Sequence, residues 1–178
     1  KDLIGIARQS IEAELFGNEF KHDDKLAEKY QTKQGVFVTL HKDGELRGCI
    51  GYIQPTSPLY EAVVKMAKAA AFDDPRFKPL SANEYGKIEV EISVLSVPEL
   101  IEVDDEKEIL NQVKVGRDGL IIEYGMNSGV LLPQVPVEWK WDVKQFLEHT
   151  CEKAMLEKDA WKDLENEILS FEVQLFEE

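Results

Sequence analysis

The segment VFVTLHKDGELRGCIG, residues 36–51, contains the pattern on which the fold depends. Residues 36–41 alternate apolar and polar side chains as an amphipathic β-strand does, and Asp43-Gly44 is a strong signal for a two-residue hairpin turn. The returning arm, residues 46–51, contains an arginine, a cysteine and two glycines, although a regular strand disfavours glycine. The segment therefore predicts a hairpin whose second strand carries the functional site.

Counting outward from a two-residue turn places Leu40 opposite Arg47 and Val38 opposite Cys49. On this register the guanidinium and the thiol share a face with the apolar side chains of the first strand. A β-bulge at either glycine of the returning arm would turn part of this assignment to the other face.

Outside the hairpin, apolar spacing predicts an opening amphipathic helix and a second helix capped by Ser57, with Pro58 at its first position. Residues 87–97 alternate as the clearest strand. A short helix, a second hairpin, a long helix and a last strand are expected around residues 104–113, 116–132, 143–154 and 168–176. This mixture predicts an α+β fold with a mainly antiparallel sheet and flanking helices, in a single domain of residues 1–178.

The charge balance argues against several function classes. The chain has 178 residues, of which 21 are basic and 35 acidic, so its formal net charge is −14. Such a field repels phosphate backbones and anionic lipid, which disfavours broad nucleic-acid and membrane-surface binding. No apolar run approaches the roughly 20 residues of a membrane helix. The first residues lack the basic region and apolar core of a signal peptide. A cytoplasmic protein is expected.

The two cysteines, Cys49 and Cys151, do not form a disulfide framework, which fits a reducing compartment. The three histidines, His22, His41 and His149, are scattered, so no spacing resembles a zinc or iron site. No Walker loop, dinucleotide fingerprint or nucleophile elbow is present. Neither a metal nor a cofactor is expected.

Cys49 and Arg47 are the first candidates for a site. Cys49 is either a nucleophile whose thiolate is favoured by Arg47, or a small buried residue of the hairpin, which is the commoner role. The predicted register places the nearest imidazole, that of His41, on the other face. A guanidinium on an apolar face needs an anion or a set of carbonyl groups. The anion is either a ligand carboxylate or phosphate, or an internal carboxylate such as Asp73 or Asp74.

The other candidates surround this pair. Gly48 and Gly51 would let a ligand approach the backbone, or would accommodate a bulge or a crossing helix. Arg76 would supply a second cation to an anion pocket, or would pair with Asp74 while Asp74 caps a turn. We take Cys49 as the candidate catalytic residue, and as candidate ligand-binding residues Arg47, Gly48, Gly51, Asp74 and Arg76.

Three aromatic residues and two further side chains have a structural interpretation. Cys151 lies in an apolar helical stripe and is expected to be a packed thiol. His149 lies off that stripe and is expected to be solvated. The three tryptophans are expected to form core or groove walls and not stacking platforms for nucleobases; they are Trp139, Trp141 and Trp161.

Residues 46–51, LRGCIG, resemble the six-residue signature of the AMMECR domain, and further segments resemble the same family at residues 35–40, 74–77, 92–96, 119–122 and 131–135. The resemblance implies a mixed α/β fold with a larger and a smaller subdomain and a cleft whose walls include the signature. The family has no established activity, although enzymatic and nucleic-acid-related roles have been proposed for it. Some relatives are linked to a Memo-type domain and a radical-type partner, which implies a part in a small enzyme system.

Together, the residues and the resemblance predict a cleft, lined by residues 46–51, that binds a small anionic ligand or substrate. The alternatives are a non-enzymatic adaptor that binds a protein partner, and an RNA- or nucleotide-binding module, which the acidic charge disfavours.

Overall fold

Residues 1–178 are all described by the computed structural model, and their contacts divide the chain into two units. The first unit comprises Lys1–Val97 and Gln174–Glu178, and the second comprises Pro98–Val173. Each unit has a hydrophobic core of its own. No helix in either unit is both long enough and apolar enough to span a membrane.

In the first unit, strands β2, β1 and β3 form an antiparallel sheet in that order, and helices α1 and α3 pack on it. The elements are α1 (Asp2–Phe16), α2 (Asp24–Lys29), β1 (Val36–Lys42), β2 (Glu45–Tyr52), α3 (Leu59–Phe72), α4 (Ala82–Tyr85) and β3 (Ile88–Leu95).

The apolar residues whose alternation predicts β1 are the residues that pack into this core. Val36, Val38 and Leu40 are fully buried, and the β3 residues opposite them are also buried. The intervening Phe37 and Thr39 lie on the other face and are only half-buried. One face of the sheet is buried under two helices, and this accounts for the alternation of buried and half-buried residues along β1.

The hairpin closes at the predicted turn, where Asp43 has φ 55° and Gly44 has φ 80°, as a type I′ turn requires. Helix α3 begins at Leu59, so the predicted cap is wrong. Pro58 occupies the N-cap position without a side-chain cap, and the Ser57 hydroxyl instead shares a hydrogen bond of 2.7 Å with the hydroxyl of Tyr52.

The register of β1 and β2 differs from the predicted one. Leu40 lies opposite Gly48 and Thr39 lies opposite Cys49, because a β-bulge accommodates Arg47 as an extra residue of β2. The thiol therefore shares a face with half-buried residues of β1, and not with its core residues as predicted.

The close approach of helix α3 to β2 explains this register. A Cβ atom on Gly48 would lie 2.1 Å from the carbonyl oxygen of Ala70 in α3. Only glycine, which has no Cβ atom, lets the strand approach the helix backbone so closely. The residue opposite Leu40 must therefore be a glycine, and Gly48 takes this position.

In the second unit, the sheet order is β6, β5, β7 and β4, with all pairs antiparallel. Helix α7 packs on β5 and β6. The elements are β4 (Glu99–Leu100), α5 (Glu106–Gln112), β5 (Asp118–Tyr124), β6 (Asn127–Leu131), α6 (Gln134–Glu138), α7 (Val143–Lys153), a short 3-10 helix (Ala160–Lys162) and β7 (Glu167–Glu177), whose last residues lie in the first unit. The predicted α+β class, with a mainly antiparallel sheet and flanking helices, is confirmed.

Candidate functional site

The candidate site lies along β2, which is an edge strand with β1 as its one neighbour in the sheet. After α3 the chain turns back along this edge at residues 73–77. There Asp74 is 3% exposed, and its carboxylate accepts the backbone N–H of Cys49 at 2.9 Å and that of Arg76 at 3.1 Å. The sequence-predicted residues at 49, 74 and 76 are thus brought together.

Arg76 completes this arrangement. Its Nε and Nη2 atoms donate to the two carboxylate oxygens of Asp74 at 3.0 and 2.7 Å, and Nη2 also donates to the carbonyl oxygen of Cys49 at 3.2 Å. The guanidinium of Arg76, together with the two backbone N–H groups, holds the pKa of Asp74 well below its usual range. Both outward backbone groups of Cys49 are therefore satisfied by side chains.

Arg47 pairs with a carboxylate that the sequence analysis missed. Its Nε and Nη2 atoms donate to the two carboxylate oxygens of Glu84 at 3.1 and 3.2 Å, and Nη2 also donates to the carbonyl oxygen of Lys78 at 2.9 Å. The predicted internal partners, Asp73 and Asp74, are wrong. The third nitrogen, Nη1, is buried and has no hydrogen-bond partner.

Glu84 is held in place by a capping box at the start of α4. Its carboxylate accepts the backbone N–H and the hydroxyl of Ser81, and also Lys42 Nζ at 3.1 Å. Arg47 is the main cause of a pKa for Glu84 well below its usual range. The Ser-x-x-Glu pattern at 81–84 is a visible signal for the capping box, but it does not reveal the arginine that the glutamate also binds.

The ring of Phe77 joins the two arginines. Arg47 Cζ lies 5.9 Å from the ring centroid and Arg76 Cζ lies 5.6 Å from it, both within cation–π range. Two guanidinium groups therefore border one aromatic ring.

The Cys49 thiol is half-buried and free, and its Sγ atom accepts a hydrogen bond of 3.2 Å from the hydroxyl of Thr39. No histidine hydrogen-bonds it. The neighbouring glycines serve close packing: Gly48 approaches α3, and a Cβ atom on Gly51 would lie 2.3 Å from the carbonyl oxygen of Val36. The crossing helix proposed as an alternative for Gly48 is therefore present.

The remaining candidates lie in the second unit. Cys151 is fully buried, and burial raises the pKa of its thiol to about 11, as fits a packed thiol. His149 is not simply solvated: its ring stacks on Trp141 at 3.9 Å, and its Nδ1 lies 2.7 Å from a carboxylate oxygen of Glu152. Trp161 is a core residue, whereas Trp139 is 68% exposed.

Comparison with known proteins identifies the family. The AMMECR1 family model matches residues 4–176. The chain belongs to the AMMECR1 family. A protein of Methanothermobacter thermautotrophicus is 45% identical over 179 residues, covering 100% of this chain and 93% of the relative. A second relative, from Methanocaldococcus jannaschii, is 49% identical over 177 residues, covering 98% of this chain and 88% of the relative.

The AMMECR1 fold is also seen in a solved structure. The crystal structure of the uncharacterized protein PH0010 from Pyrococcus horikoshii matches with a TM-score of 0.82 and 46% sequence identity, and the match covers 99% of this chain and 90% of that chain. The resemblance inferred from the LRGCIG segment is therefore confirmed at the level of family and fold.

Proposed function

We propose that residues 46–51 and 74–77 of this AMMECR1-family protein bind a small anionic ligand, or the anionic group of a substrate, as part of a small enzyme system. Arg47 and Arg76 supply the positive charge and Cys49 lies beside them. The observation that carries the proposal is the Nη1 atom of Arg47, a buried cationic donor without a partner.

The energetics of arginine burial support this proposal. The side chain of Arg47 is only 12% exposed, and a buried N–H of a charged group that lacks a partner costs free energy. Carboxylate and phosphate oxygens are the acceptors that suit a guanidinium best. An oxyanion that reaches Nη1 after a side-chain movement would therefore satisfy the one nitrogen that Glu84 and Lys78 leave unpaired.

The local charge supports an anion as well. Three cationic side chains of this region, Lys42, Arg47 and Arg76, are paired with two carboxylates, Glu84 and Asp74. The cluster is therefore net positive within a chain whose formal charge is −14. Arg76 is 53% exposed on its side chain, so part of its guanidinium is accessible to a ligand.

The test is binding of two probe oxyanions, inorganic phosphate and succinate, measured by calorimetry and by backbone amide NMR shifts of residues 46–51. We expect saturable binding of at least one probe. Arg76→Gln should weaken it roughly tenfold, because a charge-assisted hydrogen bond contributes about 1.5–3 kcal/mol. Arg47→Lys should weaken it too, since lysine retains the charge but cannot present the Nη1 donor.

Arg117 offers a matched control. Its Nε and Nη2 atoms bind the buried carboxylate of the next residue, Asp118, at 2.6 and 2.8 Å, much as Arg76 binds Asp74. Arg117→Gln should therefore lower stability like Arg76→Gln but leave anion binding unchanged. Equal weakening by both variants, or no saturable binding of either probe, would reject the anion site and favour the protein adaptor.

The same site gives Cys49 its candidate role as the reactive group. Its backbone is fixed by Asp74 and Arg76, so its thiol would neighbour an anion bound by the arginines. Cys49→Ser should leave probe binding intact while abolishing any turnover of a substrate that the site processes. Unchanged turnover in Cys49→Ser would remove the catalytic assignment and leave the anion site standing.

A further inference from the structure

A second concave site lies wholly within the second unit. A cavity of about 570 Å³ is lined by the segment between β4 and α5 and by the turn that precedes β7. Six of its lining residues are acidic and none is basic. The acidic residues are Glu102, Asp104, Glu108, Asp163, Glu165 and Glu167.

None of these six carboxylates forms an ion pair within the chain. Elsewhere on the surface acidic side chains do find partners, as Glu152 does with Lys158 at 3.2 Å. The cavity carboxylates are also not gathered closely enough to hold a metal ion. The carboxylates are spread along a wall that also contains Ile101 and Leu164. Such a wall suits an extended ligand that carries several positive charges on apolar stems.

Two lining residues contain buried polar atoms that lack partners. Trp161 is 3% exposed, and its indole Nε1–H has no acceptor. The Oδ1 atom of Asn166 has no donor, and its orientation is set because Nδ2 donates to the carbonyl oxygen of Ala160 at 2.5 Å. Buried polar groups are nearly always paired, so two unpaired ones at a single cavity point to a missing binding partner.

An unpaired N–H donor and an unpaired C=O acceptor complement the two hydrogen-bonding groups of a peptide backbone. The six carboxylates, none of which is in an ion pair, complement lysine and arginine side chains. We propose that this cavity binds an extended, lysine- or arginine-rich segment of a partner protein. Both polar atoms are buried, so the bound peptide reaches them after a side-chain rotation in the turn at 163–166.

The experiment is calorimetric titration of the full chain with an acetylated, amidated tetralysine peptide, and in parallel with spermine, which has similar charge but no peptide groups. We expect tighter binding of the peptide and a decline in affinity with added salt. Glu102→Gln combined with Glu165→Gln should weaken peptide binding by about tenfold, since it removes two charge pairs. Both residues are exposed and outside regular elements, so the variant should fold.

Two further variants make the test decisive. Glu138→Gln combined with Glu157→Gln removes the same charge from exposed positions outside the cavity and should leave binding unchanged. Trp161→Phe removes the indole N–H and should weaken the peptide about two- to tenfold, with no effect on spermine. Equal losses in the two double variants would overturn the site. If spermine and the peptide bind with equal affinity and Trp161→Phe does not change that affinity, the proposed peptide ligand is wrong and the cavity binds a small polyamine.

Discussion

The carboxylate of Asp74 accepts the backbone N–H of Cys49 at 2.9 Å, and this bond takes the place of the strand neighbour that β2 lacks on its outer edge. Arg76 donates to the carbonyl oxygen of the same residue. An acidic and a basic side chain from one short turn thus bind the backbone N–H and the carbonyl oxygen of one edge-strand residue. This also keeps that edge from pairing with another chain.

Replacing Asp74 by asparagine should destabilise the first unit. Asparagine keeps one acceptor but loses the charge that Arg76 and the two backbone N–H groups bind, and this should cost about 1–3 kcal/mol of unfolding free energy. The measurement is chemical denaturation, together with hydrogen exchange at the Cys49 amide, which should become faster. Asp73→Asn is the control, because Asp73 is exposed and its side chain makes no hydrogen bond. A loss of stability in both variants alike would contradict the edge-capping role.

Gly48→Ala should be one of the most destabilising small substitutions in the chain. The added Cβ atom would lie 2.1 Å from the backbone oxygen of Ala70, so α3 and β2 must separate. We expect a loss of at least about 1–3 kcal/mol, the usual cost of overpacking. Gly5→Ala is the matched control: Gly5 lies inside α1, where an added methyl group would meet no other atom within 4 Å, and alanine there should stabilise the helix by about 0.5–1 kcal/mol. Thermal denaturation of both variants measures the contrast, and a neutral Gly48→Ala would reject the tight contact.

The same contact shows where prediction from the sequence ended. The alternation in β1 and the Asp43-Gly44 turn are local signals, because one buried face and one turn type determine them. The bulge at Arg47 is different. It depends on the distance between Gly48 and a carbonyl oxygen more than twenty residues away, and no local pattern encodes that distance.

The site shows the same division. The proximity of Asp74 and Arg76 could be predicted because they are two positions apart in the chain, and the structure has them paired. The partner of Arg47 could not be predicted, because Glu84 lies 37 residues away in the chain. The Ser-x-x-Glu pattern that contains Glu84 already gives this glutamate a role in capping α4. Only the fold brings the cap and the bulged strand together.

The two cysteines should differ sharply in reactivity toward iodoacetamide. Cys151 is fully buried and its pKa is raised to about 11 by burial, so little thiolate forms near neutral pH and the reagent cannot reach it. Cys49 is half-buried and should be the residue modified in the folded protein. Mass spectrometry of the native and the denatured chain separates the two: Cys151 should react only after unfolding. Equal native rates would mean that α7 opens far more readily than its packing implies.

Acid should remove the stabilisation that Glu84 provides. Its folded pKa lies below the ordinary glutamate value of about 4.3 because Arg47, Ser81 and Lys42 bind the ionised form. The contribution is therefore complete above that ordinary value and is lost progressively as the pH falls from it towards and through the folded pKa. We expect the Tm difference between the natural chain and Glu84→Gln to be largest near neutral pH and to shrink on acidification. Glu157→Gln, which alters an exposed carboxylate without an ion pair, should change Tm little at any pH. A Glu84→Gln deficit that stays constant down to about pH 3 would show that shape, and not charge, makes the glutamate stabilising.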